Sequence, residues 1–438
     1  MQIKKYIFSI FITFLILIQC SSVSAYITPD FDLYAASTIV YNVDQDIIVY
    51  EENADVERAP ASLTKVMTSL MILESTNDHS KKITITEQML AGLATSNASV
   101  MGLHVGEVIS IKDLLYGLLL PSGGDAANAL AFYHSGSVEK FMQAMNQRVK
   151  ELGAEHTVFK VPSGLDREGQ YTTARDMLLI MKEAMQYDLF QEIVSTTSYT
   201  TQSTNKHPSG IQLKSTSTLM DPKNVYYTPY IIGGKTGYTG NAGRCYVSYG
   251  RSESGETYII VSLKAPFEGY TVTSRAFQDA RDLYQWLNDH FQVQTIQSKE
   301  QYAITLEVVH SFDKTFEAVY EDDFKVLLDD TGNELLYTYD IEQVYEAPIL
   351  VGERVGSVSV YDGDIYLGTQ YIQATSSVKY SKLVVFWENL QAFYAKNKIY
   401  IIGGSILFVL LYVYLLVQRL RRRRLRRRVK AMKRRRER

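Results

Sequence analysis

Ser62 and Lys65 stand three residues apart in Pro60-Ala61-Ser62-Leu63-Thr64-Lys65, a spacing that puts a hydroxyl and an amine on one face of a helix. A serine hydroxyl is a poor nucleophile until a base takes its proton. A lysine amine serves as that base once desolvation or a neighbouring cation lowers its pKa. A serine at a helix N-terminus also sets backbone N–H groups and the positive end of the helix dipole against an oxyanion. The spacing alone decides nothing, because Ser137/Lys140, Ser203/Lys206, Ser311/Lys314 and Ser376/Lys379 share it. What singles out Ser62 is its company. Ser122 lies in Pro121-Ser122-Gly123-Gly124-Asp125, a tight turn between two apolar stretches, and Lys235 and Thr236 lie in the glycine-flanked, strand-like Gly233-Gly234-Lys235-Thr236-Gly237-Tyr238. Read in isolation, that last segment is a turn with a solvated lysine. The ordered triple is not so easily dismissed.

These residues need elements to hold them. Leu63, Val66, Met67, Leu70 and Met71 follow Ser62 at the i, i+3, i+4, i+7, i+8 spacing of a helix packed on a core. Alternation over 37–50, with a turn at 42–46, predicts a strand pair; helical periodicity recurs at 111–133, 138–152 and 173–185. Strands return at 243–249 and 258–264, followed by a helix over 274–291. Early strands, a middle block of helices and late strands predict one sheet whose edges come from both ends of the segment. After Val293 the pattern changes to short alternating runs at 303–309, 326–328 and 354–360, with turns at Asp330-Thr331-Gly332 and Asp362-Gly363. This predicts a small all-β domain over 293–378. A segment over 381–396 then carries Leu383, Phe386, Trp387, Leu390 and Phe393 at helical spacing, as expected of a helix lying against a membrane.

Charge is distributed unevenly along the 438 residues, although the formal net charge is only -3. Residues 419–438 hold 14 Lys/Arg and one acid, a net +13, and the bulk of the chain is correspondingly acidic. Such a tail on its own suggests nucleic acid. Here it follows an uncharged run of 19 residues at 399–417, about 28 Å as a helix, close to the roughly 30 Å of a bilayer's hydrocarbon core. Arg and Lys excess marks the cytoplasmic side, so the expected arrangement is a single-pass anchor with 418–438 inside and no nucleic-acid partner. At the other end, Lys4 and Lys5, the apolar stretch 7–18 and Val23-Ser24-Ala25 read as an export signal over 1–25, which places 26–396 outside the cell. Cys20 follows the large Gln19 and does not fit a lipoprotein site. That leaves Cys245 as the one thiol after cleavage, expected to be an inert core residue in a fold without disulfides. The seven histidines lack paired metal-ligand spacing, so neither a metal nor any other cofactor is expected.

Taken in order, Ser62-x-x-Lys65, the Ser122 turn and Lys235-Thr236-Gly237 resemble the motif set of penicillin-binding proteins and class A β-lactamases. The likeness runs further, through Ser96-Asn97-Ala98-Ser99-Val100-Met101-Gly102-Leu103, Asp125-Ala126-Ala127-Asn128-Ala129-Leu130-Ala131, Ser163-Gly164-Leu165-Asp166 and Tyr171-Thr172-Thr173-Ala174-Arg175-Asp176. Over residues 30–292 the chain resembles the low-molecular-mass penicillin-binding D,D-carboxypeptidases. That resemblance implies an α/β (α+β) β-lactamase/transpeptidase-like catalytic domain over 26–292, with an antiparallel sheet and a helical cluster. It also implies a serine hydrolase that removes the terminal D-alanine from peptidoglycan stem pentapeptides through an acyl-enzyme, with β-lactams acylating the same serine. Residue by residue, Ser62 would be the nucleophile, Lys65 its base and Ser122 a proton relay to the leaving amine. Lys235 and Thr236, beside Gly237, would hold the substrate carboxylate. The backbone N–H groups of Ser62 and Tyr238 would bind the oxyanion, a contribution of about 3–4 kcal/mol. Arg275, near the start of the 274–291 helix, is a further candidate for attracting the carboxylate.

One position departs from the pattern. The middle motif of the family usually ends in asparagine, and here Gly124 stands in that place with no side chain to offer the substrate or the lysine. Asp125, Asn128 or a water would have to substitute; otherwise the chain is a catalytically weak wall-binding protein. A class A β-lactamase would need a Glu-x-x-Leu-Asn loop after the middle motif, and none is present. A D,D-endopeptidase would use the same machinery and stays open as an alternative.

Overall fold

The computed structural model describes residues 27–92, 98–269, 274–330, 332 and 334–436. The export signal read over 1–25 lies outside the described residues.

Strands β1 (Ser37–Asn42) and β2 (Ile47–Glu52) form the hairpin that the early alternation predicts. After them a 3-10 turn, Ala61–Leu63, leads into α1 (Thr64–Ser75). The apolar stripe of α1 predicts a buried helix, and Thr64 to Leu73 are buried all round. Its polar residues are accommodated by hydrogen bonds, Thr68 Oγ1 donating to the Pro162 carbonyl at 2.8 Å and Ser69 Oγ to that of Val66 at 2.7 Å. A helix enclosed on every side is the pillar of the core.

The single periodic stretch 111–133 is two helices, α2 (Ile111–Leu119) and α3 (Gly124–Ser135). Pro121 has no N–H to continue the ladder, and Ser122 takes φ +66°, which reverses the chain between them. The cluster continues with α4 (Val138–Glu151) and α5 (Ala174–Ala184), capped by the Ser137 and Thr173 hydroxyls.

Three late strands follow: β3 (Ile231–Thr239), β4 (Gly243–Arg251) and β5 (Thr257–Ala265). With the early hairpin they make a five-stranded antiparallel sheet in the order β2-β1-β5-β4-β3. Its edges are therefore an early strand and the Lys235 strand. Alternate residues serve two cores: Val247, Ile259 and Val261 join α1 and the helical cluster, whereas Tyr246, Tyr258 and Ile260 join α6 (Arg275–His290) on the other face.

The chain divides into two compact units. The first takes the chain up to Thr295 together with Lys325–Leu336 and Tyr361–Leu367, and the second takes Ile296–Phe324, Tyr337–Val360 and Gly368 onwards. The division in space is thus not a single cut near residue 293. The β-rich second part forms a six-stranded sheet, β6 (Tyr302–Val309), β7 (Thr315–Tyr320), β8 (Leu335–Ile341), β9 (Tyr345–Glu346), β10 (Arg354–Asp362) and β11 (Ile365–Ala374), in the order β8-β10-β11-β7-β6-β9. Leu306, Val308, Phe316, Val358 and Ile372 fill its core.

The pattern beyond residue 380 predicts two helices, an amphipathic one and a span. The structure has one continuous helix, α7 (Lys382–Arg436). Nothing between Lys396 and Ile399 breaks a helix, and Asn397 bridges the junction by donating its side-chain amide to the Phe393 carbonyl at 2.8 Å. By length and composition α7 contains a candidate membrane span.

Candidate active site

The N-terminal end of α1 supplies the centre. Ser62 is half-buried in the 3-10 turn, and one turn later Lys65 Nζ stands 2.9 Å from its Oγ. Lys65 is only 2% exposed. Its amine also donates to the Ser163 carbonyl at 2.5 Å, so it is held rigidly towards the hydroxyl. Desolvation lowers its pKa to about 7, against a smaller upward pull from the Asp125 carboxylate. A substantial fraction of this amine is thus neutral at neutral pH.

Two glycines allow the surrounding backbone to close in. Gly164 has φ +75°, and a Cβ there would fall 1.9 Å from the Ala61 carbonyl oxygen, so only glycine lets this loop bring the Ser163 carbonyl onto Lys65. A Cβ on Gly237 would lie 3.2 Å from the Ser62 nitrogen, so β3 passes directly beside the nucleophile's own backbone. The end of β3 is tied to the Ser163 loop through Thr239 Oγ1, which donates to Asp166 at 2.7 Å.

The turn between α2 and α3 brings Ser122 to the same place. Lys235, 1% exposed, donates to Ser122 Oγ at 3.0 Å and to the Thr236 carbonyl at 2.8 Å. Burial, reinforced by the positive charge of Lys65, holds its pKa well below the ordinary lysine value. Both Ala61 (φ +47°) and Ser122 (φ +66°) adopt left-handed backbone, each at a cost of about 1–3 kcal/mol. That strain sits beside the two serines. Thr236 Oγ1 meets the Thr216 hydroxyl at 2.6 Å, and the Thr216 N–H is anchored on the Leu120 carbonyl beside the Ser122 turn. Tyr238 is partly exposed, with its ring against Phe267 and under the Arg244 guanidinium.

Ser62, Lys65, Ser122, Lys235 and Thr236 therefore converge, with Gly237 and Tyr238 continuing along the same strand. Gly124 opens α3, its N–H donating to the Ser99 carbonyl at 2.7 Å. Asp125 is fully committed elsewhere: its two oxygens accept from the N–H groups of Met101, Gly102, Leu103 and Ala126 at 2.8–3.1 Å. It is not available to replace an asparagine side chain. Arg275 is not brought into the cluster. It starts α6, which packs on the sheet face opposite α1, and its guanidinium pairs with Glu268, bonds Gln278 and covers the Tyr34 ring. Two of the other Ser-x-x-Lys pairs have local structural duties: Ser137 caps α4 by accepting from the Lys140 N–H, and Ser311 accepts from the Asp313 N–H in a turn.

Thr216 and the Ser163 carbonyl are the members that motif reading does not assign. Nothing in the sequence near Thr216 signals chemistry, and a backbone carbonyl carries no residue signature at all.

The segment that carries this serine, the two desolvated lysines and the edge strand matches a known family. The family model for D-alanyl-D-alanine carboxypeptidase, peptidase S11, matches residues 23–266. The chain belongs to the peptidase S11 family. Among its relatives, the D-alanyl-D-alanine carboxypeptidase DacF of Bacillus subtilis is 27% identical over 368 residues, 83% of this chain and 91% of that protein. The DacD carboxypeptidase of Salmonella typhimurium is 30% identical over 326 residues, 71% of this chain and 78% of that one. Of solved structures, penicillin binding protein 5 from Haemophilus influenzae superposes with a TM-score of 0.63 at 25% identity, covering 81% of this chain and 99% of that one. This S11 chain thus shares the penicillin-binding fold, an antiparallel sheet with helices followed by a C-terminal all-β region.

Proposed function

We infer that this S11 chain is a serine-type D-alanyl-D-alanine carboxypeptidase acting on peptidoglycan, with Ser62 as its nucleophile. The observation that carries the reading is the buried Lys65 amine, lowered to about 7, at 2.9 Å from the Ser62 hydroxyl. Neutral Lys65 takes the Ser62 proton as Oγ attacks the carbonyl carbon of the penultimate D-alanine. The negative charge that develops on the carbonyl oxygen is received by the backbone N–H groups of Ser62 and Tyr238. Collapse breaks the amide bond, and the leaving D-alanine nitrogen receives the proton that Lys65 accepted, relayed through the hydroxyl of Ser122, which lies on Lys235, so that Lys65 is neutral again. Water then attacks the ester as neutral Lys65 takes its proton, and Lys65 returns that proton to Ser62 Oγ as the ester C–O bond breaks. The products are free D-alanine and a peptide shortened by one residue.

Lys235 and Thr236, with Thr216 behind it, hold the terminal carboxylate. An arriving anion favours the charged form of Lys235 that burial disfavours in its absence. Because β3 is a sheet edge, an extended peptide pairs beside it while its end reaches this cation. A β-lactam presents a strained amide and a carboxylate to the same groups. The apolar part of α7 anchors the chain in the cytoplasmic membrane, with the basic tail inside and the active site outside.

Mass spectrometry of the detergent-purified chain after penicillin treatment tests this directly. A single adduct on Ser62, together with D-alanine release from a stem pentapeptide, is the expected result. Both disappear in Ser62→Ala. Unchanged D-alanine release by that variant would refute the assignment.

A further inference from the structure

The start of α7 leaves a large apolar surface in the open. Leu383, Phe386, Trp387, Leu390, Phe393 and Tyr394 are each 41–60% exposed, and among the described residues none joins the core of the β-rich unit. All six share one face of the helix. Another side of it meets that unit, with Val384 buried and Glu388 accepting from the His310 N–H at 3.4 Å. Four aromatic rings and two leucines, about half exposed, amount to roughly 600 Å², and a patch of that size on a protein surface marks an interaction site. A membrane is the expected cover for such a stripe, but the helix does not deliver it there. α7 runs without a break from Lys382 into the uncharged stretch that starts at Ile399. Along a continuous helix Phe393 therefore stands about 9 Å and Leu383 about 24 Å beyond the hydrocarbon, whereas the headgroup layer is only about 5–8 Å deep. A tilt of about 20° changes those heights by less than about a tenth.

We propose that this stripe is the seam of a parallel dimer with a second copy of this chain. The proposal rests on the reading of α7 as the membrane anchor: two copies held in one membrane enter it from the same side, so equal residues stand at equal heights. The face each copy meets is then its own, as a two-fold axis requires. Leu383, Phe386, Leu390 and Phe393 follow one another at intervals of three, four and three residues, the alternation by which two helices interlock along a left-handed seam. Asn397 takes the next position, where a single asparagine fixes the register of paired helices. The spacing continues through Tyr400, Gly404, Leu407 and Leu411, and a small residue such as Gly404 lets two helices approach closely in lipid. Beside the seam, Lys382 of one copy comes opposite Trp387 of the other, a cation against an aromatic ring, and Asn389 opposite Tyr394, so no like charges meet. The basic tails repel one another, but they begin at Arg419, about 39 Å from Phe393 along the helix, far beyond the roughly 8 Å over which charge is felt at physiological salt.

The test uses the full chain reconstituted in phospholipid vesicles. Leu390→Cys and Ala392→Cys place a thiol on the seam and on the far side of the helix, and wild type, whose Cys245 is buried, reports the background. Under mild oxidation Leu390→Cys should give a disulfide-linked dimer, and Ala392→Cys no more than wild type. Energy transfer between labelled copies follows dissociation as the vesicles are diluted with lipid. With Phe386→Ser and Phe393→Ser together the midpoint should shift at least about tenfold, the scale of uncovering two aromatic side chains, while labelled penicillin still acylates Ser62. Equal cross-linking from both cysteine positions overturns the seam, as does a midpoint that the double variant leaves in place. So does quenching of Trp387 fluorescence by brominated lipid, read against Trp387→Phe, because it puts the stripe in the bilayer. A chain that stays soluble without detergent or lipid would instead refute the reading of α7 as an anchor, and the seam with it.

Discussion

Lys65 illustrates why residue type and spacing are not yet chemistry. An ordinary lysine is protonated at neutral pH and is no base; this one is lowered to about 7 because it is buried. Only the neutral amine accepts the Ser62 proton, so the penicillin acylation rate should rise with pH through about 7 and level off above it, read by stopped-flow or adduct mass at several pH values. The same shift costs stability. Between the folded value and that of a free lysine, about 10.4, the unfolded chain binds more protons than the folded one. The contribution of this group to stability therefore increases with pH across that window, and its penalty is fully present below about 7. Gly124 is the other instructive residue. Asp125 cannot substitute for a missing amide, since backbone N–H groups occupy both its oxygens. Gly124→Asn, at a position without left-handed backbone, should raise kcat/KM for a stem pentapeptide about fivefold, the scale of one added hydrogen bond.

At the scale of elements, the site is a junction of four pieces of chain: the turn leading into α1, the turn between α2 and α3, the Ser163 loop, and the edge strand β3. Their separations are set by backbone contacts in which glycine is indispensable. Gly164→Ala would force a methyl group to 1.9 Å from the Ala61 carbonyl in a left-handed conformation. The loop must then retreat and take the Ser163 carbonyl off Lys65. We expect penicillin acylation to fall more than tenfold, an effect of at least about 1.4 kcal/mol on the barrier, with a lower Tm by calorimetry. Retention of both would show that Lys65 does not depend on this loop. The element pattern also shows where periodicity is a poor guide. One apolar stretch over 111–133 is two helices because Pro121 and Ser122 reverse the chain between them, and this reversal is what presents the second serine.

For the whole molecule, the uneven charge is the organising fact. A +13 tail follows an apolar helix, and the rest of the chain is acidic. Ending the chain after residue 380 should release it from membranes into the soluble fraction while leaving acylation of Ser62 intact, measured by fractionation and labelled penicillin. If the shortened chain stayed with the membrane, α7 would not be the anchor. The first compact unit takes in two segments from far along the chain, Lys325–Leu336 and Tyr361–Leu367. A boundary drawn in sequence could not anticipate this, because strands separated along the chain can pair in space at no local signal.

The order of the Ser62, Ser122 and Lys235 motifs, the strand–helix–strand succession and the apolar run before the arginines are local properties, and local properties are legible in a single chain. The helix over 64–75 and the spacing of Ser62 to Lys65 required only i, i+3 geometry. Tertiary structure decided the rest. It enclosed Lys65 and so made a base of it, supplied the Ser163 carbonyl and the Thr216 hydroxyl from distant segments, and put Arg275 on the far face of the sheet. Desolvation and through-space contact depend on what surrounds a group in three dimensions, and no window of sequence contains that information.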